Sequence, residues 1–316
     1  MSTQRPKVVV IGGTYIDMAF RCARIPTEGQ DLAGSELCYK TTGPGPNQAT
    51  QAVKCGCEVH LVGKVGGDPF ASMVKQDLTE LKINTAYIYT AEAKNTGVII
   101  TMVDSQGENA TCHYAGANSA LQGNDIEQAE EVISQANLCL IHGQLPREAI
   151  ITALKLAQIH GVRVILNPAH PLDQRTTNLP IEYFSADVLI PNLYEAADIT
   201  EQSTANIRTA KLIGSDLVAR GVEYAIITMD RRGCMLIDRS GAEQIPSFEI
   251  DLVDDTGCGD AFAGALAAYC AVKSNDMKNA VYFAAAAGAL ACSKFGSIES
   301  LPGKADIIQL LQEQDR

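Results

Sequence analysis

The sequence predicts a doubly wound α/β fold: a mainly parallel central sheet with helices on both faces and a small projecting β element. Three observations predict it. Short apolar runs without alternation recur along the 316 residues, as strands covered on both faces require. Segments of helical period lie between them, the rhythm of βαβ crossovers. Two strand-like stretches then break that rhythm in the first part of the chain.

The apolar runs are "KVVVIGG" (7–13), "VHLVGKVG" (59–66), "ANLCLIHG" (136–143), "VRVILNP" (162–168), "DVLIPN" (187–192) and "YAIITMD" (224–230). Helical patterns fall at 47–56, 69–82, 125–135, 147–160 and 205–220, and Ala-rich helices follow at 258–273 and 279–294. "GVIITMVDSQGENATCHYAG" (97–116) is strand, Asp/Ser/Gly turn, strand, and so predicts a hairpin. "DLAGSELCYKTTG" (31–43) alternates like an exposed strand. With no repeat and no long linker, residues 1–316 are expected to form one domain.

Composition narrows the function. A 46% hydrophobic and 20% charged chain is an ordinary globular one. No run reaches the ~18–20 apolar residues of a membrane span, so no membrane partner is expected. The start passes directly into a strand-like run without a secretory leader, which predicts a cytoplasmic location. A formal charge of −12 without any Lys/Arg cluster excludes nucleic acid as partner. Ten scattered cysteines with no CxxC pair make no disulfide framework, and Cys55 and Cys57, close to His60, read as core thiols rather than a metal site. Any phosphate ligand must therefore be held by local backbone dipoles and a metal, because the net field repels it.

One stretch has the means to do so: "VDDTGCGDAFAGALAAYC" (253–270). The leading amides of a helix lack intrahelical partners, and the macrodipole places partial positive charge there. Gly257 and Gly259 remove side chains from that mouth, so an anion can reach the amides. Asp260 follows, and a carboxylate beside an anion cradle needs a task, such as accepting a proton from an attacking hydroxyl. Cradle plus base is the minimal kit for phosphoryl transfer.

"DTGCGDAFAGALA" resembles the C-terminal signature of the ribokinase-like (PfkB) carbohydrate kinases. "VVVIGGTYIDM" and "TGPGPNQATQAVKCG" resemble that family's N-terminal sugar-binding segments. "HYAGANSAL" (113–121), "LNPAH" (166–170), "IPNLYEA" (190–196), "ITMDRRG" (227–233) and "GSIESLP" (296–302) follow in the family's order. The resemblance implies an ATP-dependent carbohydrate kinase. Asp260 would be the general base, and the amides of Gly257, Cys258 and Gly259 the anion hole. Cys258 stands where the family usually has Ala and is expected to be a packed thiol. Asn192 and Glu195 would lie around Mg²⁺ and the phosphates, with Thr228, Asp230 and Gly233 bordering the nucleotide. A K⁺ site is implied at Asp254, Thr256, Ala291, Lys294, Gly296 and Ser300. The projecting strands, drawn from about 14–20, 31–43 and 97–115, would form a lid over the sugar and the contact of a homodimer.

By the same resemblance Asp17 and Asn47 would contact the sugar, and Gly43 would let it approach the backbone. The residues themselves also allow Asp17 as a strand-end cap and Asn47 as an N-cap of the helix that follows. Three positions depart from true ribokinases: Pro44 replaces a Lys, Tyr15 an Asn and Gln144 a Glu. A proline donates no hydrogen bond, so a changed sugar specificity is expected. The acceptor is expected to be a hydroxymethyl group of a small sugar. A nucleoside kinase, with Tyr15 stacking on the base, is the alternative reading, and a non-catalytic sugar or nucleotide sensor is a third.

Overall fold

The first apolar run becomes an interior strand of a large sheet in a computed structural model that describes residues 5–169, 179–202 and 206–314. The first half of the chain folds as β1 (Lys7–Ile11), β2 (Tyr15–Cys22), β3 (Gly34–Thr42), α1 (Pro44–Lys54), β4 (Glu58–Gly66), α2 (Pro69–Glu80), β5 (Ile83–Asn84), β6 (Ile88–Ala91), β7 (Gly97–Val103), β8 (Asn109–Tyr114), α3 (Gly123–Glu127), α4 (Glu130–Ser134), β9 (Leu138–His142) and α5 (Arg147–Ile159). There follow β10 (Val164–Asn167), β11 (Val188–Leu189), α6 (Leu193–Ile199), α7 (Ile207–Arg220), β12 (Tyr224–Thr228), β13 (Cys234–Asp238), β14 (Gly241–Ile245), α8 (Cys258–Cys270), α9 (Met277–Cys292) and α10 (Lys304–Gln314).

The main sheet runs β14-β13-β12-β11-β10-β9-β1-β4-β5, and β6 also pairs with β4. Its strands are parallel except at the β12–β13–β14 end, which is antiparallel. The pleat sends alternate side chains to opposite faces. Val8 and Val10 enter the core shared with α8 and α9, while Val9 and Ile11 enter the core under α5 and α7. All four are 0% exposed, which is why the run reads apolar without alternation. Each such side chain contributes roughly 1.5–3 kcal/mol of burial.

A second sheet, ordered β3-β2-β7-β8, stands off this layer. β2 pairs antiparallel with β3 and parallel with β7, and β7 with β8 is the expected hairpin. It is tied back to the main body by the Lys40–Glu299 ion pair at 2.5 Å and by Thr42 Oγ1 and Ser297 Oγ at 3.1 Å.

Several boundaries differ from expectation. Helix α1 begins at Pro44, not after Asn47, because prolines are tolerated in a first turn whose amides have no intrahelical partner. Asn47 is therefore inside the helix, and its N-cap is Gly43. The expected helix over 125–135 is split into α3 and α4; the bend keeps Ile126, Ala129 and Ile133, all 0% exposed, on the core. Strand β11 is only Val188–Leu189, shorter than the run that predicted it. The pairs β5 and β6, β13 and β14, and the helices α6 and α10 are not anticipated by the hydrophobic pattern.

Candidate active site

A cavity of about 260 Å³ opens beyond the C-terminal ends of β9, β10, β11 and β12, where open α/β sheets bind ligands. His142 ends β9, Asn167 ends β10, Ile190 follows β11 and Thr228 ends β12, so consecutive parallel strands each supply one residue. The opposite wall is the mouth of α8, with Gly257, Gly259, Asp260 and Phe262.

Gly257 is the N-cap of α8 and has φ 78°, a left-handed conformation in which a side chain is strained. A Cβ built on Gly259 meets nothing within 4 Å, so open space lies at that position of the first turn. Cys258 between them packs against Ala261, Ala291 and Leu301. A hydrogen bond with Cys292 and burial both push its pKa up, which keeps it a thiol.

Asp260 projects from the same turn and is half-buried. Asn47 Nδ2 donates to one carboxylate oxygen at 2.8 Å and Gln48 Nε2 to the other at 2.9 Å. The partner amide oxygens, Asn47 Oδ1 and Gln48 Oε1, are buried without a hydrogen-bond partner among the described residues. Both donors ride on α1, which is pressed against α8: a Cβ on Gly264 would sit 2.5 Å from the Gln48 carbonyl oxygen. Burial pushes the Asp260 carboxyl up to about 6, while the two amide hydrogen bonds pull it down. Gln48 is not among the residues that the sequence singles out. Its only signal there is its place, directly after Asn47 in the first turns of a helix.

Asn192 and Glu195 both line the cavity. They also form a capping box for α6: Asn192 Oδ1 accepts from the Tyr194 and Glu195 amides, and Glu195 accepts from the Asn192 amide at 2.9 Å. Thr228 is joined to Asn192 by a β-bridge, with its amide donating to the Pro191 carbonyl at 3.0 Å. Asp230 and Gly233 lie in the turn that leads to β13, outside this cavity lining. Gly233 is required there by its φ of 81° and by the Ile245 carbonyl, 2.0 Å from where a Cβ would stand.

Asp254 gathers its loop: one oxygen accepts from the Thr256 amide and the other from the Gly296 amide, each at 2.9 Å. Burial alone would raise its pKa, and these hydrogen bonds outweigh that, holding it below the usual carboxylate range. The Ala291 carbonyl accepts from the Lys294 amide at 3.3 Å, and Ser300, 0% exposed, donates to the Ser297 carbonyl. Asp254, Thr256 and Gly296 are thus in direct contact, and Ala291 with Lys294.

The remaining sugar candidates sit apart from the cavity lining. Asp17 is half-buried on β2 and accepts from Thr101 Oγ1 at 3.0 Å; burial raises its pKa, with Lys40 and His113 opposing. Tyr15 is 1% exposed, and Gly43 is buried against its ring, so close that an added Cβ would stand 2.7 Å from a ring carbon. That contact, with a φ of 107°, accounts for the glycine locally. Pro44 and Gln144 are half-buried, and the Gln144 amide donates to His142 Nδ1 at 3.3 Å. Of "LNPAH", His170 lies outside the described residues.

Known proteins resemble this chain throughout. A family model described as pfkB family carbohydrate kinase matches residues 5–304. A ribokinase from Mus musculus is 31% identical over 270 residues, covering 85% of this chain and 83% of its own. A deoxyribokinase from Salmonella typhi is 31% identical over 283 residues, covering 88% of this chain and 91% of its own. The structure of Arabidopsis thaliana ribokinase complexed with ribose and ATP superposes with a TM-score of 0.88 at 25% identity, covering 98% of this chain and 99% of that one.

Proposed function

The chain belongs to the pfkB family of carbohydrate kinases and is an ATP-dependent carbohydrate kinase; on that premise we propose how its residues divide the work. The γ-phosphoryl group passes to a hydroxymethyl group of a small free sugar. Asp260 takes the proton of the attacking hydroxyl, and the amides of Gly257, Cys258 and Gly259 bind the oxygens of the group in transit. The observation that carries this reading is the meeting of Asp260, held by Asn47 and Gln48, with the glycines of the α8 mouth on one cavity.

The residues present fit the nucleotide phosphates and their metal. Open space beside Gly259 and the dipole of a 13-residue helix suit an anion, while Asn192 and Glu195 offer hard oxygen ligands, directly or through water. Mg²⁺ supplies charge neutralisation at the phosphate oxygens. Thr228, Asp230 and Gly233 would border the nucleotide, and Asp254 and Thr256 with Ala291, Lys294, Gly296 and Ser300 would hold K⁺, largely through carbonyl oxygens. Asp17, Asn47 and Gly43 receive the sugar, with Tyr15, Pro44 and Gln144 shaping its pocket. The second sheet is the lid. Its outer groove, lined by Met18, Phe20, Leu37, Tyr39 and Ile100, leaves Leu37 58% exposed and supports a homodimer. Ten unpaired cysteines suit the reducing cytoplasm.

A substrate panel tests the function. ADP release from ATP is expected with at least one free sugar of a pentose and hexose panel; the named relatives put ribose and 2-deoxyribose first on it, and the changes at Tyr15, Pro44 and Gln144 favour a preferred sugar other than ribose. Phosphorylation of adenosine alone would make the chain a nucleoside kinase, and ATP binding without transfer to any acceptor a sensor.

The base has its own signature in pH. Only the ionised carboxylate accepts a proton, so with Asp260 near 6 kcat/KM is expected to be level above that value and to fall about tenfold per unit below it. Gln48→Leu removes one of the bonds that favour the charged form, so the falling limb moves to higher pH. An unshifted limb in that variant would show that Gln48 does not tune the base.

A further inference from the structure

His142 is a buried imidazole on the cavity that the scheme above leaves without a task. It closes β9 in register with Asn167 of β10. Only 7% of it is exposed, and it contributes to the cavity lining together with Gly257, Gly259 and Asp260. Its Nδ1 accepts the Gln144 backbone N–H at 3.3 Å. A neutral ring that accepts at Nδ1 carries its proton on Nε2. Burial, which pushes the imidazole down to about 3, keeps the ring neutral. Nε2 makes no hydrogen bond to any described residue, so on this largely buried ring one donor is left open to the cavity that it shares with the mouth of α8. Unmade buried hydrogen bonds are costly, and folded chains keep them where a ligand completes them.

We propose that His142 is a phosphate-binding residue of this kinase, whose Nε2–H donates to an oxygen of the terminal phosphoryl group of the nucleotide. The assignment rests on the kinase reading of the same cavity. The chemistry favours this ligand over a sugar hydroxyl, which needs donors and acceptors together, whereas the leading amides of α8 and His142 Nε2 are donors alone. Neutrality matters as much as position. A cationic imidazole in the cavity of Asp260 would pair with the carboxylate and compete for its proton; a neutral one grips the phosphoryl oxygen and leaves the base free.

The test is calorimetric binding of Mg²⁺ with ADP and with a non-hydrolysable ATP analogue to the full chain. His142→Phe keeps the ring volume without a donor, and His142→Gln places an amide N–H near the position of Nε2. The Phe variant is expected to lose about tenfold or more in analogue affinity while ADP stays within about twofold, and kcat/KM for ATP falls in parallel. The Gln variant recovers most of the loss. Equal loss of ADP and analogue, no loss of either, or a Gln variant as impaired as Phe overturns the assignment. Should the Phe variant fail to fold, His142→Met provides the donor-free chain for the same comparison. A parent chain that binds neither nucleotide overturns the kinase reading and this assignment together; a parent that binds both leaves the kinase reading standing whatever the variants do.

Discussion

Asp260→Asn is expected to lower kcat by about 10²–10⁴-fold or more while leaving nucleotide affinity little changed. Asparagine keeps the shape of the side chain and cannot take up the proton. One of the two donors, Asn47 Nδ2 or Gln48 Nε2, will face the new amide N–H₂ and lose its acceptor. Against that stands a saving. Burial raises the Asp260 pKa, which means that the charged form is disfavoured in the fold, and a neutral amide removes that cost. The melting temperature is therefore expected to stay within a few degrees of the parent, or to rise. Steady-state kinetics with the preferred sugar and calorimetry with an ATP analogue make the measurement. A variant with near-normal kcat would remove Asp260 from the role of base.

Gly259→Val carries the second large effect, and it separates function from folding. A Cβ at this position meets no atom within 4 Å and the glycine has no positive φ, so the fold has room for the side chain. Valine is also the better helix former, by a few tenths of a kcal/mol. What it fills is the approach to the amides of the α8 mouth. Losing one such donor typically costs about 10²–10³ in rate, and kcat/KM is expected to fall by at least that much with stability unchanged or slightly improved. Gly264→Val, further along the same helix, should do the reverse. There the new Cβ would lie 2.5 Å from the Gln48 backbone, so α1 and α8 must separate and the protein is destabilised by about 1–3 kcal/mol. Comparable stability losses in the two variants would show that the mouth of α8 is not open as described.

The parts of the fold that the sequence announced are those whose burial leaves no choice of residue. β1 and β9 face cores on both sides, so Val8 to Ile11 and Leu138 to Ile141 are apolar or thiol at every position. The hairpin of β7 and β8 carried its turn in the composition. What stayed hidden had chemistry that reads in two ways. The prolines of "GPGPN" look like a loop and in fact open α1. "NLYE" reads as a phosphate motif, and its capping box also starts a helix. The edge strand β14, "GAEQI", is mostly accessible and too polar to recognise. Within the site, Gly257, Gly259 and Asp260 stood out because two positions without side chains and a carboxylate share one helix mouth, an anion cradle beside a potential base. Gln48 and His142 were not, since a glutamine in a helix and a histidine after an apolar strand gain their meaning only from what lies across the cavity.

The grip on Asp260 joins positions 213 residues apart in the chain, and β1 waits for a partner strand about as far along as residue 138. During synthesis Asp260, the proposed base, therefore emerges long after the two amides that steady it. An amino-terminal fragment ending before α8 lacks both Asp260 and Gly259, however well its own strands pair. Closing so long a loop early in folding is entropically unfavourable, which places completion of the centre among the last events of assembly and makes slow acquisition of turnover the natural mark of refolding.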